Sequence, residues 1–347
     1  MIALTNSSPG GTLGGTLTQW PSVAHHAENM QKDNWEEGHT RAADQRLRSS
    51  DSLSSVFMLE RIKHMTWAWF TFVMSTGGIA LVLHSTPNQF DGLRVIGKIF
   101  FIFAIIVFIG IVTGLIVRFS TTDRALRNSL LHPTESLFFP CSLLSVATIL
   151  TNTAAYGLPE TGSWLATALR ASAGPWPRLS TPLYLGRLMQ DGLPAPAMRP
   201  GMFIAVGPAG FTSVALIGMS QSIPEGYGYF KTYPMAPQVL QILALWVSIW
   251  IWCIAFWFFS FSLLAVLSSA LQWRLRYSMT WWAFVFPNVG FTLATARIGE
   301  QLESPGIRWV STVMTIFLVG LWFVVLYAQV SAVIRRKILW PGRDEDR

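Results

Sequence analysis

MTWWAFVFPNVGFTLAT, from Met279 to Thr295, has the length and apolarity of a membrane span, yet Pro287, Asn288 and Gly290 stand near its middle. A proline inside a helix removes a donor and kinks the backbone, and lipid does not tolerate the freed carbonyl unless neighbouring helices or a wet cavity satisfy it. The span is therefore expected to face a pathway. Phe286, a bulky apolar ring just before the kink, stands where such a pathway narrows, and a hydrophobic constriction closes a channel without any fixed charge. The plainer reading of Phe286 is a lipid-facing or packed aromatic.

Composition fixes the class around this stretch. The chain is 51% hydrophobic and 12% charged, with 16 tryptophans. A soluble core does not hide that much apolar surface, so the fold class is an all-α polytopic membrane protein. Cys141 and Cys253 both fall in apolar runs and suggest neither a disulfide framework nor a metal site. The net charge of +7 is no nucleic-acid signal, because the basic residues follow span ends, where they act as topology determinants and lipid-headgroup contacts. His132 and Glu135 have i, i+3 spacing, but no second pair completes a metal site. They read better as an interfacial polar pair with Glu135 near the positive end of a helix dipole. GGTLGG, Gly10 to Gly15, lacks the Lys-Ser/Thr of a phosphate loop and reads as a linker. No cofactor is expected.

Seven spans are expected, at about 65–83, 99–117, 136–156, 201–219, 239–267, 279–296 and 310–334. They lie in a transmembrane domain, 57–337, between a disordered cytosolic tail, 1–56, and a short tail, 338–347. In the first span, Ser75, Thr76, Gly77 and Gly78 cluster at mid-depth, where small residues admit another helix or line a pore. The third carries Ser142, Ser145, Thr148, Thr151, Asn152 and Thr153 without one charge. Such hydroxyl-rich helices bond to neighbours or line a wet path. The fourth, within RPGMFIAVGPAGFTSVALIGM (199–219), holds Gly207, Pro208, Gly210 and Phe211 centrally. It is expected to be a second broken helix, whose unwound turn presents N–H groups to an anion. His64 and Arg297 near the mouths would raise local anion concentration.

Residues 157–200 break the pattern, with many prolines and glycines and Arg170, Arg178, Arg187 and Arg199. A central arginine costs a span about 2.5–3.5 kcal/mol on insertion scales, so this region is expected to be irregular. Seven spans then place the basic clusters Arg274–Arg276 and Arg335–Lys337 outside, against the positive-inside rule. Either 157–200 crosses the membrane irregularly or spans are absent.

HPTESLFFP (132–140), RPGMFIAVGPAGFTSVALIGM and WWAFVFPNVGFTLAT (281–295) resemble the tellurite-resistance/dicarboxylate transporter family of the voltage-dependent anion channel superfamily. Within it the chain is most similar to fungal malic acid transporters, over about 57–170 and 184–337. The resemblance implies ten helices in five hairpins around a central pore lined by the odd-numbered helices. A phenylalanine of the ninth helix blocks that pore, and the matching residue is Phe286. It also implies three further helices between Arg170 and Arg187, where only ASAGPWPRLSTPL (171–183) stands. Their loss is expected to invert or strand the four spans that follow. The function so implied is transport of malate-type C4-dicarboxylates across the plasma membrane by a non-enzyme with a cytosolic N-terminus, in a homotrimer as in many relatives. Alternatives are a sulfite or other small-anion pump of the same family, a non-functional truncated product, and a seven-helix receptor. The receptor needs an external N-terminus, against the basic residues Arg61 and Lys63.

Overall fold

The structure, a computed structural model, describes residues 64–122, 124–131, 138–156, 193–223, 229–272, 275–335 and 338. All of them fall in one compact unit, Glu60–Arg347. The tail 1–56, the stretch 157–192, His132, Glu135 and residues 339–347 lie outside the described residues. Among the described residues every regular element is helical.

In chain order these are α1 (Phe70–Ser85, after a 3-10 turn at Trp67–Trp69), α2 (Leu93–Thr121), α3 (Ala125–Leu131) and α4 (Phe139–Tyr156). After them come α5 (Val206–Gln221, preceded by a 3-10 segment, Pro196–Ala205), α6 (Tyr229–Thr232) and α7 (Ala236–Leu271). The last two are α8 (Phe286–Gln301, preceded by a 3-10 segment, Met279–Phe284) and α9 (Pro305–Ile334). Among the described residues five stretches are long and apolar enough to cross a membrane: Trp67–Ser85, Leu93–Thr121, Pro196–Gln221, Ala236–Leu271 and Pro305–Ile334. Most run a few residues beyond the expected bounds. The remaining two expected spans are present as helices outside that set. α4 is polar, and 279–296 is divided between a 3-10 segment and a 16-residue helix.

Contacts between helices fix their directions. Along α1 and α4, Ser145 Oγ donates to the Phe70 carbonyl, Asn152 Nδ2 to that of Gly77, and Tyr156 Oη to that of Ala80. Both numbers rise together, so the two helices are parallel. By the same reasoning α1 is parallel to the Met279–Gln301 unit, since Ser75 meets Trp282 and Gly78 faces Val289. α5 is parallel to α8, since Gly207 faces Pro287 and Gly210 faces Gly290. Four parallel helices thus form an arc in the order α4, α1, α8, α5. Among the described residues α4 and α5, at its two ends, form no packed pair.

The other long helices run antiparallel on the outside. α2 backs α1 through Phe72 with Phe103 and Phe70 with Phe108. α7 backs α5 through a reciprocal pair in which Ser213 Oγ donates to the Ser248 carbonyl and Ser248 Oγ to that of Ser213. α9 backs α1 through Trp322 Nε1 on Thr76 Oγ1 and Thr86 Oγ1 on Thr315 Oγ1. Burial separates the layers: 72% of the most apolar Trp67–Ser85 window is buried against 17% of that in Ala236–Leu271. α1/α2, α5/α7 and α8/α9 are complete hairpins, while α4 stands without a following partner among the described residues.

Two expectations change. The spans after the gap are not inverted, because α5 lies parallel to α1, α4 and α8. Nor do the prolines kink running helices. The α-helical ladder begins at Val206 and Phe286, so Pro208 and Pro287 sit in the first turn of new helices. There the N–H groups lack i−4 partners in any case, and proline removes nothing.

Candidate functional site

α5 and α8 cross in backbone contact. A Cβ added at Gly210 would lie 2.5 Å from the Gly290 carbonyl carbon and from the Phe291 nitrogen, and one at Gly207 would lie 3.3 Å from Pro287 Cα. Glycine is required at Gly210 because the other helix's backbone fills the space of a side chain. At Gly290 the obstacle is the Phe211 ring, at 2.7–3.1 Å. That ring stacks on Phe286, with centroids 5.2 Å apart and planes at 29°. Both rings are half-buried.

Helical periodicity tells where Phe286 points. Val289 faces α1 and Gly290 faces α5. Phe286, three and four residues earlier, shares the face between them, which is the concave side of the arc. Leu293 and Arg297, at i+7 and i+11, follow on the same face. Phe291 and Thr295 turn the other way, to α7, where Phe291 stacks on Trp252 and Trp252 Nε1 donates to Thr295 Oγ1 over 2.8 Å.

The small-residue cluster of α1 faces three different ways. Ser75 Oγ donates to the Trp282 carbonyl, and Thr76 Oγ1 donates to Phe72 while accepting from Trp322 Nε1. Gly77 faces Thr148 on α4, and Gly78 faces Val289 on α8. Ser75 and Thr76 are fully buried, so all four residues serve helix packing. On the same helix Met74 is buried and Leu81 packs against the core, two apolar residues that carried no polar signal to mark them. On α4, Ser145, Thr148, Asn152 and Tyr156 line the α1 contact, while Ser142 is half-buried and donates to the Phe139 carbonyl.

Three buried side chains have polar partners that the sequence did not name. Trp282 Nε1 donates to Gln329 Oε1 over 3.0 Å, tying the 3-10 segment to α9. Asn288 Nδ2 reaches back to the Phe284 carbonyl at the break, and Asn152 Nδ2 bonds both Gly77 and Thr148 carbonyls. The Oδ1 atoms of Asn152 and Asn288 are buried without a protein donor, which marks both as seats for a water or another donor.

His64 and Arg297, the two residues assigned to mouths, lie at opposite ends. His64 is half-buried beside the 3-10 turn that starts α1. Arg297 is at the far end, where Nη1 donates to Glu300 Oε2 over 2.9 Å. His84 on the last turn of α1 shares that end, feels the charges of Arg94 and Arg297, and packs edge-on against Tyr156. All three described acids, Asp91, Glu300 and Glu303, lie at this far end, with Arg94, Lys98, Lys231, Arg297 and Arg308. The near end holds Arg118, Arg124, Arg127, Arg199, Arg276 and Arg335, and no described acid. Arg61, Lys63, Arg274, Arg336 and Lys337 adjoin it in sequence. Among the described residues no group of His, Cys, Asp and Glu is arranged to hold a metal.

A multi-pass helical membrane protein whose parallel inner helices form an arc with an aromatic pair on its inner face is the architecture of a transporter or channel. The chain matches the model of the voltage-dependent anion channel family over residues 64–173 and 179–330, and it belongs to that family. The family is one of anion channels and transporters rather than enzymes, and its substrates are small anions. Similar proteins include a malic acid transport protein of Schizosaccharomyces pombe, 26% identical over 83% of this chain and 82% of the relative. A putative malic acid transport protein of the same organism is 24% identical over 83% and 84%. A sulfite efflux pump of Arthroderma otae is 22% identical over 74% and 88%.

The first alignment runs to 361 positions but takes in 83% of this chain, about 288 of 347 residues, so about 73 positions have no counterpart here. The family match itself breaks between 173 and 179, within the gap that separates α4 from α5.

Proposed function

We propose that the concave face of the arc is an anion pathway, that Phe286 is its constriction, and that malate-type C4-dicarboxylates are the substrate. The observation that carries this reading is the Phe286 ring, stacked on Phe211 at the α5/α8 crossing and directed between α1 and α5. Apolar residues at that level, without a fixed charge, suit a gate that closes by excluding water. The basic near end suits a cytosolic face with the N-terminus inside, in the plasma membrane.

The names of the malic acid relatives favour malate over sulfite, which is the second substrate to test. The break in the family match between α4 and α5 favours another reading, in which this 347-residue chain is a non-transporting product. One experiment separates them: labelled malate uptake, with sulfite as competitor, by cells expressing this chain, its Phe286→Ala variant, and the chain with the relative's additional segment restored. Greater uptake on Phe286→Ala supports the constriction. Unchanged uptake in both the variant and the restored chain removes it.

A further inference from the structure

We propose that Phe211 is a positioning residue for the constriction: its ring, seated on the backbone of α8 at Gly290, holds the Phe286 ring across the pathway. The inference rests on the reading of Phe286 as the gate and assigns half of that gate to α5.

The geometry is that of a wedge. Phe211 Cδ2, Cε2 and Cγ would lie 2.7, 2.9 and 3.1 Å from a Cβ at Gly290, so the ring occupies the space that any other residue there would fill. Its own backbone is fixed by the preceding residue, because Gly210 abuts the Gly290 carbonyl carbon and the Phe291 nitrogen. α5 therefore has no freedom to turn or slide against α8 at this level without a backbone clash. Phe286 is the first residue of α8, directly after Val285, where the 3-10 segment ends at φ −99° and ψ −68°. Of the two stacked rings, Phe211 belongs to the fixed crossing and Phe286 to the end of an element. Stacked aromatic pairs hold each other's orientation beyond simple area burial. A Phe286 ring leaving the pathway has to break this stack, and the resting position of the gate is set by Phe211.

The test uses the full chain expressed in oocytes, with surface abundance measured alongside anion current for Phe286→Ala, Phe211→Ala, the double variant and Phe211→Tyr. Phe211→Ala is expected to raise current several-fold, toward that of Phe286→Ala. The double variant should gain nothing further, because both changes release one latch, and Phe211→Tyr, which keeps the ring, should remain near the starting current. A residue that serves packing alone would lower surface abundance and leave current per molecule unchanged. If Phe211→Ala does not reach the surface, Phe211→Leu replaces it, removing the planar ring at similar bulk. Current unchanged in the Phe211 variant while Phe286→Ala conducts overturns this inference alone, as do additive gains in the double variant. Silence of Phe286→Ala overturns the gate reading and this inference with it.

Discussion

At the crossing of α5 and α8 two helix backbones meet, and Gly210→Ala probes that contact directly. The new Cβ would fall 2.5 Å from two backbone atoms of α8, whereas ordinary contact begins at 3.4 Å. Backbone does not yield as the far end of a flexible side chain does, so α5 has to retreat by about 1 Å, at the closest point of a close-packed interface. Overpacking of this kind costs about 1–3 kcal/mol, offset in part by a gain of up to about 1 kcal/mol from replacing a helical glycine by alanine. Gly218 on the same helix supplies the control, since a Cβ there meets nothing within 4 Å. Gly218→Ala is expected to be neutral or stabilising, so the two variants should differ by about 2 kcal/mol. Thermal unfolding of the detergent-solubilised full chain, followed by tryptophan fluorescence, measures the difference. Equal melting of Gly210→Ala and Gly218→Ala would refute the backbone contact, and with it the seat of Phe211.

Arg199 locks the near end of α7: Nη1 donates to the Ala265 carbonyl and to Ser268 and Ser269 Oγ, and Nε donates to Pro194. Arg199→Met loses charged hydrogen bonds and a cation at a helix C-terminus and should cost about 2–3 kcal/mol in the same melt, with Lys recovering part. Trp282→Phe strands the Oε1 of Gln329, a residue only 3% exposed, and should cost about 1–3 kcal/mol. Adding Gln329→Leu should restore most of that loss, and no recovery would show that the bond is not what holds Trp282.

The five long apolar helices were legible because apolar length needs no tertiary information, and both helix breaks were legible because Pro208 and Pro287 stand inside apolar runs. What those prolines do was not. A proline that kinks a helix and one that begins a helix remove the same N–H, and only the ladder starting at Val206 and Phe286 distinguishes them. The cluster Ser75 to Gly78 failed for a related reason. Small residues at mid-depth signal close approach, but which neighbour approaches is a tertiary fact, and here the four meet three different ones. A hint of the crossing was nevertheless present: AVGPAGF (205–211) and VFPNVGF (285–291) both carry proline in the first turn and end in Gly-Phe. Two helices begun alike lie side by side in parallel.

That parallel packing explains why counting spans misjudged the orientation of the second half. Direction is set by interfaces, and those of α5 with α8 and α7 hold Pro196 at the near end while Tyr156 stands at the far end with His84. The chain between them is 39 residues long by position, 157 to 195. One helical crossing of a hydrocarbon core about 30 Å thick takes about 20 residues, whereas three take about 60. The length at hand is therefore enough to keep every basic end on one side, and too short to supply three helices. About 73 aligned positions of the malic acid relative have no counterpart here, and that number is of the size three helices with their loops require. Topology and wall are thus separate requirements. The first is compatible with the length of 157–195, and the second rests on which residues pack between α4 and α5.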